Sequence, residues 1–344
     1  MKSYRAIALQ TKCFAVNLAK TKEEARQIMR QTVERLSRQI RASCNFVGKD
    51  TKLVVLPEYF LTGFPLQESI EEWRDKACLE HNDEIYELLG KIASENSIYL
   101  CGNAYEIDEN FPELYFQTCF IISPNGELIL RYRRLNSMFA PTPHDILDKY
   151  IEIYGIESLF PVAKTEIGNL ACLASEEILY PEIARCLAMR GAEVFCHLTS
   201  EAYAKSHSPK DVAKLARAYE NMAYVISANS AGIANIPIPE NSADGGSKII
   251  DYRGLVIAET AQGESMGAFA EIDIEALRRN RCRLGLVNLL SRQRFELYAP
   301  FYSKHSFYPA NNLIGKKAER SHFIETQQKV IEKLIQEGVI VQPE

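Results

Sequence analysis

The amino-acid sequence predicts an α/β protein with mixed β-sheets. Short apolar runs, which are typical of buried strands, alternate along the chain with longer segments whose apolar residues recur at helical spacing. Some neighbouring strands are joined by a tight turn instead of a helix, as at Ser-Pro-Asn-Gly, residues 123–126. Because helical connections favour parallel pairing and tight turns favour antiparallel pairing, the sheets should contain both kinds of neighbour.

The first half of the chain is predicted to hold two long helical segments among five strands. In the first segment, apolar residues between Ala25 and Leu36 recur at helical spacing. The strand at 51–56 is largely apolar and stops abruptly just before Glu58. The predicted helical segments are residues 20–43 and 70–96, and the predicted strands are residues 6–10, 51–56, 98–105, 114–122 and 128–134.

A strand-to-helix turn at Ser175 opens the second half. Residues 170–174 form an apolar run, Ser175 and two carboxylates interrupt it, and Pro181 lies in the first turn of the amphipathic helix that follows. A small nucleophilic residue at such an elbow favours covalent chemistry, since backbone N–H groups there point at the group under attack. The alternative is an ordinary strand-to-helix junction in which Ser175 caps the helix.

The rest of the second half continues the alternation and then changes character. Strands are predicted at residues 194–198, 224–229 and 267–274, a hairpin at 246–258, and a helix at 210–223. Beyond about residue 278 the sequence becomes an aromatic-rich loop, residues 298–308, followed by a charged closing helix, residues 320–337.

Composition places the chain among soluble globular proteins. It has 344 residues, of which 47% are hydrophobic and 25% charged. A net charge of −5 without a long basic run argues against nucleic acid or an anionic membrane surface as a partner. The chain lacks an apolar run of about 18 residues, and its first residues enter a strand-like run directly, so neither a membrane span nor a secretory signal is expected.

Cysteine and histidine usage indicates a reducing compartment and no metal site. The nine cysteines are scattered through apolar segments and form no CxxC pair, which is the usage of cytosolic proteins. The six histidines show no metal-ligand spacing. We therefore expect a cytoplasmic protein that needs no metal or other cofactor.

Five unconnected stretches carry the strongest functional signal. They are Leu-Val-Val-Leu-Pro-Glu-Tyr-Phe-Leu-Thr-Gly at 53–63, Asn-Gly-Glu-Leu-Ile-Leu-Arg-Tyr-Arg-Arg at 125–134, the elbow segment at 168–182, and the segments at 217–229 and 246–254. In this order they resemble the motifs of the carbon–nitrogen hydrolase (nitrilase and amidase) superfamily, over roughly residues 4–280.

The resemblance implies an architecture and an assembly. The fold would be a four-layer α-β-β-α sandwich formed by residues 1–280, with residues 281–344 as an extension that packs on the body or on a neighbouring subunit. Family members pair through the helix that follows the elbow, here residues 181–190. A homodimer or a larger homo-oligomer is therefore expected.

The residues at the family's three catalytic positions are Glu58, Arg134 and Ser175. The family uses a Glu base, a Lys and a Cys nucleophile, so two of the three positions differ. A serine hydroxyl is far less acidic than a thiol, and serine enzymes normally set a His or Lys base against it. Arg134 can stabilise an oxyanion but cannot exchange a proton. The sequence thus predicts a pocket for a small amide, nitrile or carboxylate with impaired or absent hydrolysis.

Whether the chain is an enzyme stays open at this point. The alternative function is an active amidohydrolase that acts on non-peptide C–N bonds, with Ser175 as nucleophile and Glu58 or His144 as base. Cys172, three residues before the elbow, is expected to be a core thiol rather than a replacement nucleophile. The sequence does not tell whether Ser175 is native or was introduced to trap a ligand, although Arg134 argues against a single trapping change.

Further pocket residues are expected beside the triad positions. Tyr59, His144, Glu176 and Tyr180 are the candidates, and Glu176 should contact either the ligand or Arg134. Glu177 is expected to be a solvated carboxylate of the first helical turn, and His197 to point into a helix layer. The pocket should be lined by the loops 64–73, 136–148 and 201–208, whose sequences do not identify the small-molecule ligand.

Overall fold

Two mixed sheets form the centre of the fold in the computed structural model, which describes residues 3–202 and 208–343. The strands are β1 (Tyr4–Ala8), β2 (Cys13–Phe14), β3 (Thr51–Val55), β4 (Tyr99–Ile107), β5 (Tyr115–Ile122), β6 (Leu128–Arg133), β7 (Ala163–Thr165), β8 (Gly168–Ala174), β9 (Val194–Leu198), β10 (Tyr224–Ala228), β11 (Ile233–Ala234), β12 (Lys248–Ile250), β13 (Val256–Glu259) and β14 (Phe269–Ile272).

Helices connect and cover these strands. They are α1 (Lys22–Val47), α2 (Ile70–Ala77), α3 (Glu84–Asn96), α4 (Leu147–Tyr154), α5 (Pro181–Met189), α6 (Pro209–Asn221), α7 (Ile274–Arg281), α8 (Phe295–Lys304) and α9 (Arg320–Gln336). In the described part of the chain, none of these helices combines the length and the apolarity that a bilayer span requires.

The two large sheets share one plan. Each has six strands, in the order β14-β1-β3-β4-β5-β6 for the first sheet and β13-β12-β10-β9-β8-β7 for the second. Neighbouring strands are parallel along β1-β3-β4 in the first sheet and along β8-β9-β10 in the second. Antiparallel strands complete both sheets on either side. The mixed pairing predicted from the sequence is confirmed.

The sheets pack face to face between two helical layers. Val55 and Cys101 of the first sheet meet Leu173 and Phe195 of the second in a fully buried core. Helices α1 and α3 cover the outer face of the first sheet, and α5 and α6 cover the outer face of the second. The predicted four-layer α-β-β-α sandwich is therefore confirmed, with the carboxyl ends of β3 and β8 on neighbouring sheets.

Two predicted elements need correction. Residues 70–96 form two helices rather than one, because Leu79 between them exchanges backbone hydrogen bonds with Tyr105 and Ile107 and so extends the sheet beside β4. Most of the aromatic-rich loop predicted at 298–308 is the helix α8, which contains Pro300. A proline inside a segment disfavours a helix there, which is why the sequence favoured a loop.

Residues beyond α7 contact the body of the protein at several points. Leu313 and Phe323 are buried in the core on the outer side of the first sheet. Arg320 donates to the carbonyl oxygen of Leu66 at 2.6 Å, and the Tyr302 hydroxyl donates to Glu182 at 2.7 Å. The division of the chain at residue 280 and any contact with a second subunit stay predictions.

Gly90 allows a close approach that a larger residue would prevent. It lies inside α3, where glycine costs about 1 kcal/mol relative to alanine. A Cβ at this position would lie 2.6 Å from the backbone oxygen of Gly126, at the turn between β5 and β6. The contact seats α3 against the hairpin whose second strand leads to Arg134.

We expect Gly90→Ala to lower the free energy of unfolding by about 1–2 kcal/mol, because overpacking against a backbone atom outweighs the gain in helix propensity. Chemical denaturation measures this. The control is Ser94→Ala on the exposed face of the same helix, which should leave the stability unchanged or slightly higher. Stabilisation by Gly90→Ala would contradict the close approach.

Candidate active site

The three residues predicted to occupy the triad positions lie just beyond the ends of three strands. Glu58 follows β3, Arg134 directly follows β6, and Ser175 directly follows β8. The backbone N–H of Glu58 donates to the carbonyl oxygen of Thr199, the residue that directly follows β9, at 3.2 Å. The first sheet therefore contributes Glu58 and Arg134 to a site whose other wall is the elbow of the second sheet.

Glu58 and Arg134 form a buried ion pair. Glu58 is 1% exposed, and its Oε1 accepts from Arg134 Nη1 at 3.2 Å and from Gln117 Nε2 at 2.7 Å. The same Nη1 donates to Gln117 Oε1 at 2.6 Å. Gln117 thus bridges the two charged groups. The other carboxylate oxygen of Glu58, Oε2, is buried and has no hydrogen-bond partner among the described residues.

The remaining nitrogens of Arg134 are also in use. Nε donates to the carbonyl oxygen of Asn136 at 2.7 Å, and Nη2 pairs with the carboxylate of Glu176. The guanidinium therefore spans Glu58 on one side and Glu176 on the other. Glu176 was predicted to contact either the ligand or Arg134, and the structure shows the contact with Arg134.

Ser175 begins a 3₁₀ turn, Ser175–Leu179, that forms the elbow. Its backbone has φ +49°, in the left-handed region that non-glycine residues rarely adopt. Such strain persists only where the surroundings hold it, and it is typical of functional sites. The side chain is buried, and its hydroxyl oxygen lies within hydrogen-bond distance of the nitrogen of a lysine that the sequence did not single out.

That lysine is Lys210, in the first turn of α6. Its Nζ lies 3.2 Å from Ser175 Oγ and 3.4 Å from Thr199 Oγ1. The sequence placed Lys210 at the start of a helix, directly after the predicted pocket loop at 201–208. The position of Lys210 beside this loop was a signal that the sequence offered. Only the tertiary structure shows that the first turn of the helix faces Ser175, which lies 35 positions earlier.

Charges around Lys210 are paired with other partners. Lys214 is 1% exposed and contacts the carboxylates of Glu201 and Asp211. Lys248 contacts Asp211 at 2.7 Å. Burial opposes ionisation of Asp211, but the hydrogen bond from Lys248 and the charge of Lys214 outweigh it and lower the pKa of Asp211 below its usual range. Among the described residues, no carboxylate lies within ion-pair distance of Lys210 itself.

Glu177 is fully buried, which corrects the expectation of a solvated carboxylate. It accepts hydrogen bonds from the Tyr132 hydroxyl at 2.7 Å and from the backbone N–H groups of Ala174, Leu135 and Asn136 at 3.0, 2.6 and 3.2 Å. The 3₁₀ turn directs the side chain inward, where an α-helical first turn would have left it in solvent. Burial raises the pKa of Glu177 to about 7.

His197 lies beneath the elbow rather than in a helix layer. It is fully buried, with Nε2 at 2.8 Å from the carbonyl oxygen of Ser175 and Nδ1 at 2.8 Å from Ser227 Oγ. Because a carbonyl oxygen only accepts, Nε2 carries the ring proton and Nδ1 accepts from the serine hydroxyl. Burial, and then the charge of Lys214, lowers the pKa of His197 well below its usual value, so the ring is neutral.

The other predicted pocket residues make no hydrogen bond to Ser175. Tyr59 is half-buried, with φ +65°, and its ring lies 5.0 Å from that of Phe64. The His144 ring lies 6.1 Å from that of Tyr308, in the C-terminal extension. Tyr180 is 40% exposed at the end of the elbow. These residues border the site or the extension, and a base role for His144 has no contact to support it in the described part of the chain.

Two further expectations concern cysteine and the pocket loops. Cys172 is fully buried in the middle of β8, with its sulfur 3.6 Å from that of Cys101, which confirms a core thiol. Residues 203–207 of the predicted pocket loop 201–208 lie outside the described residues.

In the residues that the structure does describe, no group of His, Cys, Asp and Glu is arranged to hold a metal ion.

The chain is similar to several known proteins. A family model described as carbon-nitrogen hydrolase matches residues 15–281. Omega-amidase NIT3 of Saccharomyces cerevisiae is 27% identical over 73% of this chain and 83% of its own length. The 2-oxoglutaramate amidase of Bacillus subtilis is 27% identical over 67% of this chain and 82% of its own length. The crystal structure of Saccharomyces cerevisiae Nit3, of branch 10 of the nitrilase superfamily, has a TM-score of 0.63 at 20% identity, covering 83% of this chain and 95% of that one.

Removal of the Glu177 carboxylate should destabilise the protein. We expect Glu177→Ala to lower the free energy of unfolding by about 3 kcal/mol, because four donors, two of them fully buried, lose their acceptor. Chemical denaturation at pH 8 measures the effect. Glu332→Ala, on an exposed turn of α9, is the matched control and should change the stability by no more than about 0.5 kcal/mol. Equal stabilities of the two variants would contradict this stabilising role of the Glu177 carboxylate.

His197 should make the protein sensitive to acid. Its folded pKa lies below the unfolded value of 6.5, so the unfolded chain binds the proton more tightly and stability falls as pH drops below that value. Between pH 7 and pH 5 this loss should be about 2 kcal/mol. In His197→Gln, whose side chain does not titrate, the loss should be smaller by that amount. His305→Gln, at an exposed histidine, should retain the wild-type loss; identical curves for both variants would refute the assignment.

Proposed function

Because the chain belongs to the carbon-nitrogen hydrolase family, we propose that it is an amidase-type enzyme that hydrolyses a small linear amide at the elbow, with Ser175 as nucleophile. The observation that carries this proposal is the Ser175 hydroxyl, held at a strained elbow and within 3.2 Å of a lysine nitrogen. A serine placed only to cap a helix would instead direct its oxygen at backbone N–H groups. Relatives named omega-amidase and 2-oxoglutaramate amidase support the amide as substrate class.

The buried carboxylate of Glu58 suggests how an amide would be held. Its Oε1 is occupied by Arg134 and Gln117, but its Oε2 has no partner among the described residues. A carboxylate oxygen is an acceptor for an N–H group, and a primary amide offers two such donors. We therefore propose that Glu58 Oε2 accepts from the amide nitrogen of the substrate, while Arg134 holds that carboxylate in place.

The setting in the cell and the assembly are part of the same proposal. All nine cysteines are free thiols, which supports a cytoplasmic protein. Leu179, Tyr180 and Met189 expose large apolar surfaces at the elbow and along α5. We propose that two copies pair through this face, as the resemblance to the family implies.

A second candidate function is ligand binding without turnover. The observation that favours it is the Glu58–Arg134 pair, because the residue at the position of the family's base is held by an arginine and makes no hydrogen bond to Ser175. In that case the pocket would bind a small amide or carboxylate as a regulatory or structural site, and the hydrolytic apparatus would be degenerate.

Ammonia release from small monoamides of dicarboxylic acids, 2-oxoglutaramate among them, separates the two functions. We expect turnover by the wild-type protein and a loss of about 10³-fold or more in Ser175→Ala, since no oxygen remains to attack the amide carbon. The control Ser94→Ala, at an exposed helical serine, should retain full activity.

Equal ammonia release by wild type and Ser175→Ala would overturn the amidase proposal. The second candidate makes the opposite prediction. It expects no turnover by the wild-type protein, and turnover only when Ser175→Cys and Arg134→Lys together restore the nucleophile and the lysine of the family's triad.

A further inference from the structure

Lys210 occupies a position that the family's triad does not include. It reaches the site from the first turn of α6, and its Nζ lies 3.2 Å from the hydroxyl of Ser175. We infer that Lys210 is the general base that activates Ser175, so that this site works as a serine–lysine hydrolase. The inference rests on the proposed function, because it names the residue that makes a serine nucleophile competent there.

The other candidate bases make no hydrogen bond to the Ser175 hydroxyl. Glu58 uses Oε1 to hold Gln117 and Arg134 and makes no hydrogen bond to Ser175. His197 also contacts Ser175, but its Nε2 donates to the backbone oxygen of that residue and does not contact the hydroxyl. Arg134 retains its proton at any working pH. The lysine nitrogen is therefore the proton acceptor that is in contact with the reacting oxygen.

The surroundings of Lys210 suit this role. Its Nζ contacts two hydroxyl oxygens, those of Ser175 and Thr199, and in the described part of the chain no carboxylate lies within 4.0 Å of it. The nearby carboxylates of Asp211 and Glu201 are paired with Lys248 and Lys214 instead. An ion pair would hold Lys210 as an ammonium group that cannot accept a proton, and this arrangement avoids one.

The helix fixes the lysine in place. Ser208 caps α6 by accepting from the backbone N–H of Asp211 at 3.1 Å, and Asp211 completes the capping box by accepting from Ser208. The capped first turn carries Lys210 and is half-buried against the elbow. His197 donates to the Ser175 carbonyl oxygen, so both partners of the Lys210–Ser175 contact are held in place by hydrogen bonds.

The reaction balances with water as the only co-reactant. Neutral Lys210 takes the proton of Ser175 as Oγ bonds to the amide carbon, and the carbonyl π electrons move to oxygen. The intermediate re-forms its carbonyl, the C–N bond breaks, and Lys210 returns the proton to the nitrogen, which leaves as ammonia. A water molecule then gives a proton to Lys210 while the water oxygen attacks the carbonyl carbon of the Ser175 ester. The C–Oγ bond breaks, Oγ regains the proton, and a carboxylic acid leaves.

Acylation of Ser175 by p-nitrophenyl acetate tests the base role without knowledge of the natural substrate. The p-nitrophenolate release gives the rate, and peptide mass analysis locates the acetyl group on Ser175. We expect Lys210→Met and Lys210→Arg to lower this rate by about 10²-fold or more, with half-saturation changed by only a few-fold, because the proton acceptor is lost. Lys329→Ala, at an exposed lysine of α9, is the matched control and should not change it.

Two further readouts separate a base from a fixed positive charge. Ethylamine should restore acylation to Lys210→Ala, in which it can enter the vacated space, and not to Lys210→Arg. The wild-type rate should rise with pH, and this rise should be absent in Lys210→Met. A wild-type rate in Lys210→Arg would show that only charge matters and would overturn the inference, as would a Lys210→Met variant with an unchanged rate and pH profile.

The pH comparison between variants is needed because other titratable groups surround the lysine. They are Asp211 and Lys214 on α6, His197 on β9, Glu201 after β9, Lys248 on β12, and Glu58, Arg134, Glu176 and Glu177 around the elbow. A pH-dependent rise that persists unchanged without Lys210 belongs to one of these groups and contradicts the base role.

The two proposals fail in different ways. Lys210-dependent acetylation of Ser175 without ammonia release from any monoamide would support the inference and remove the amidase proposal. Ammonia release that requires Ser175 but is unchanged in Lys210→Met and Lys210→Arg would support the amidase and overturn the inference.

Discussion

The carboxylate of Glu177 crosses from one sheet to the other and holds the site together. It belongs to the elbow of the second sheet, yet it accepts from Tyr132 on β6 of the first sheet and from Leu135 and Asn136, which follow β6. A buried acceptor that satisfies four donors at once is costly to remove, because each donor would be left without a partner. The relative position of Arg134 and Ser175 depends on this clamp, since each lies next to a residue that Glu177 binds.

Apart from Glu177, the charged side chains of the site form two separate groups. Arg134 lies between Glu58 and Glu176, with Gln117 as a bridge. On the other side of Ser175, a second group of alternating charges gathers around Lys214. Its members are Lys214, Lys248, Glu201, Asp211 and Glu259. In each group the buried charges are compensated internally, which is the condition for burying them at all. Lys210 belongs to neither group, and this leaves its nitrogen directed at hydroxyl oxygens.

Much of the fold could be predicted because its determinants are local. The helix α1 was visible as an apolar repeat, β9 was predicted at its observed bounds, and the turn before Gly126 marked a hairpin. The helix α8 was missed because it contains Pro300, and a proline within a segment disfavours a helix there. The split between α2 and α3 was also missed, because Leu79 leaves the helix to pair with distant strand residues.

The site shows the same division between local and distant information. By itself the sequence predicted the elbow, and through the family resemblance it assigned Glu58, Arg134 and Ser175 to the three triad positions, because motif spacing along a strand and a turn is a local property. Only the tertiary structure decided that Glu177 is a buried clamp and that Lys210 reaches the Ser175 hydroxyl. Both outcomes depend on how separate elements pack, and a side chain's partner across such a contact is set by the fold and not by its neighbours in the chain.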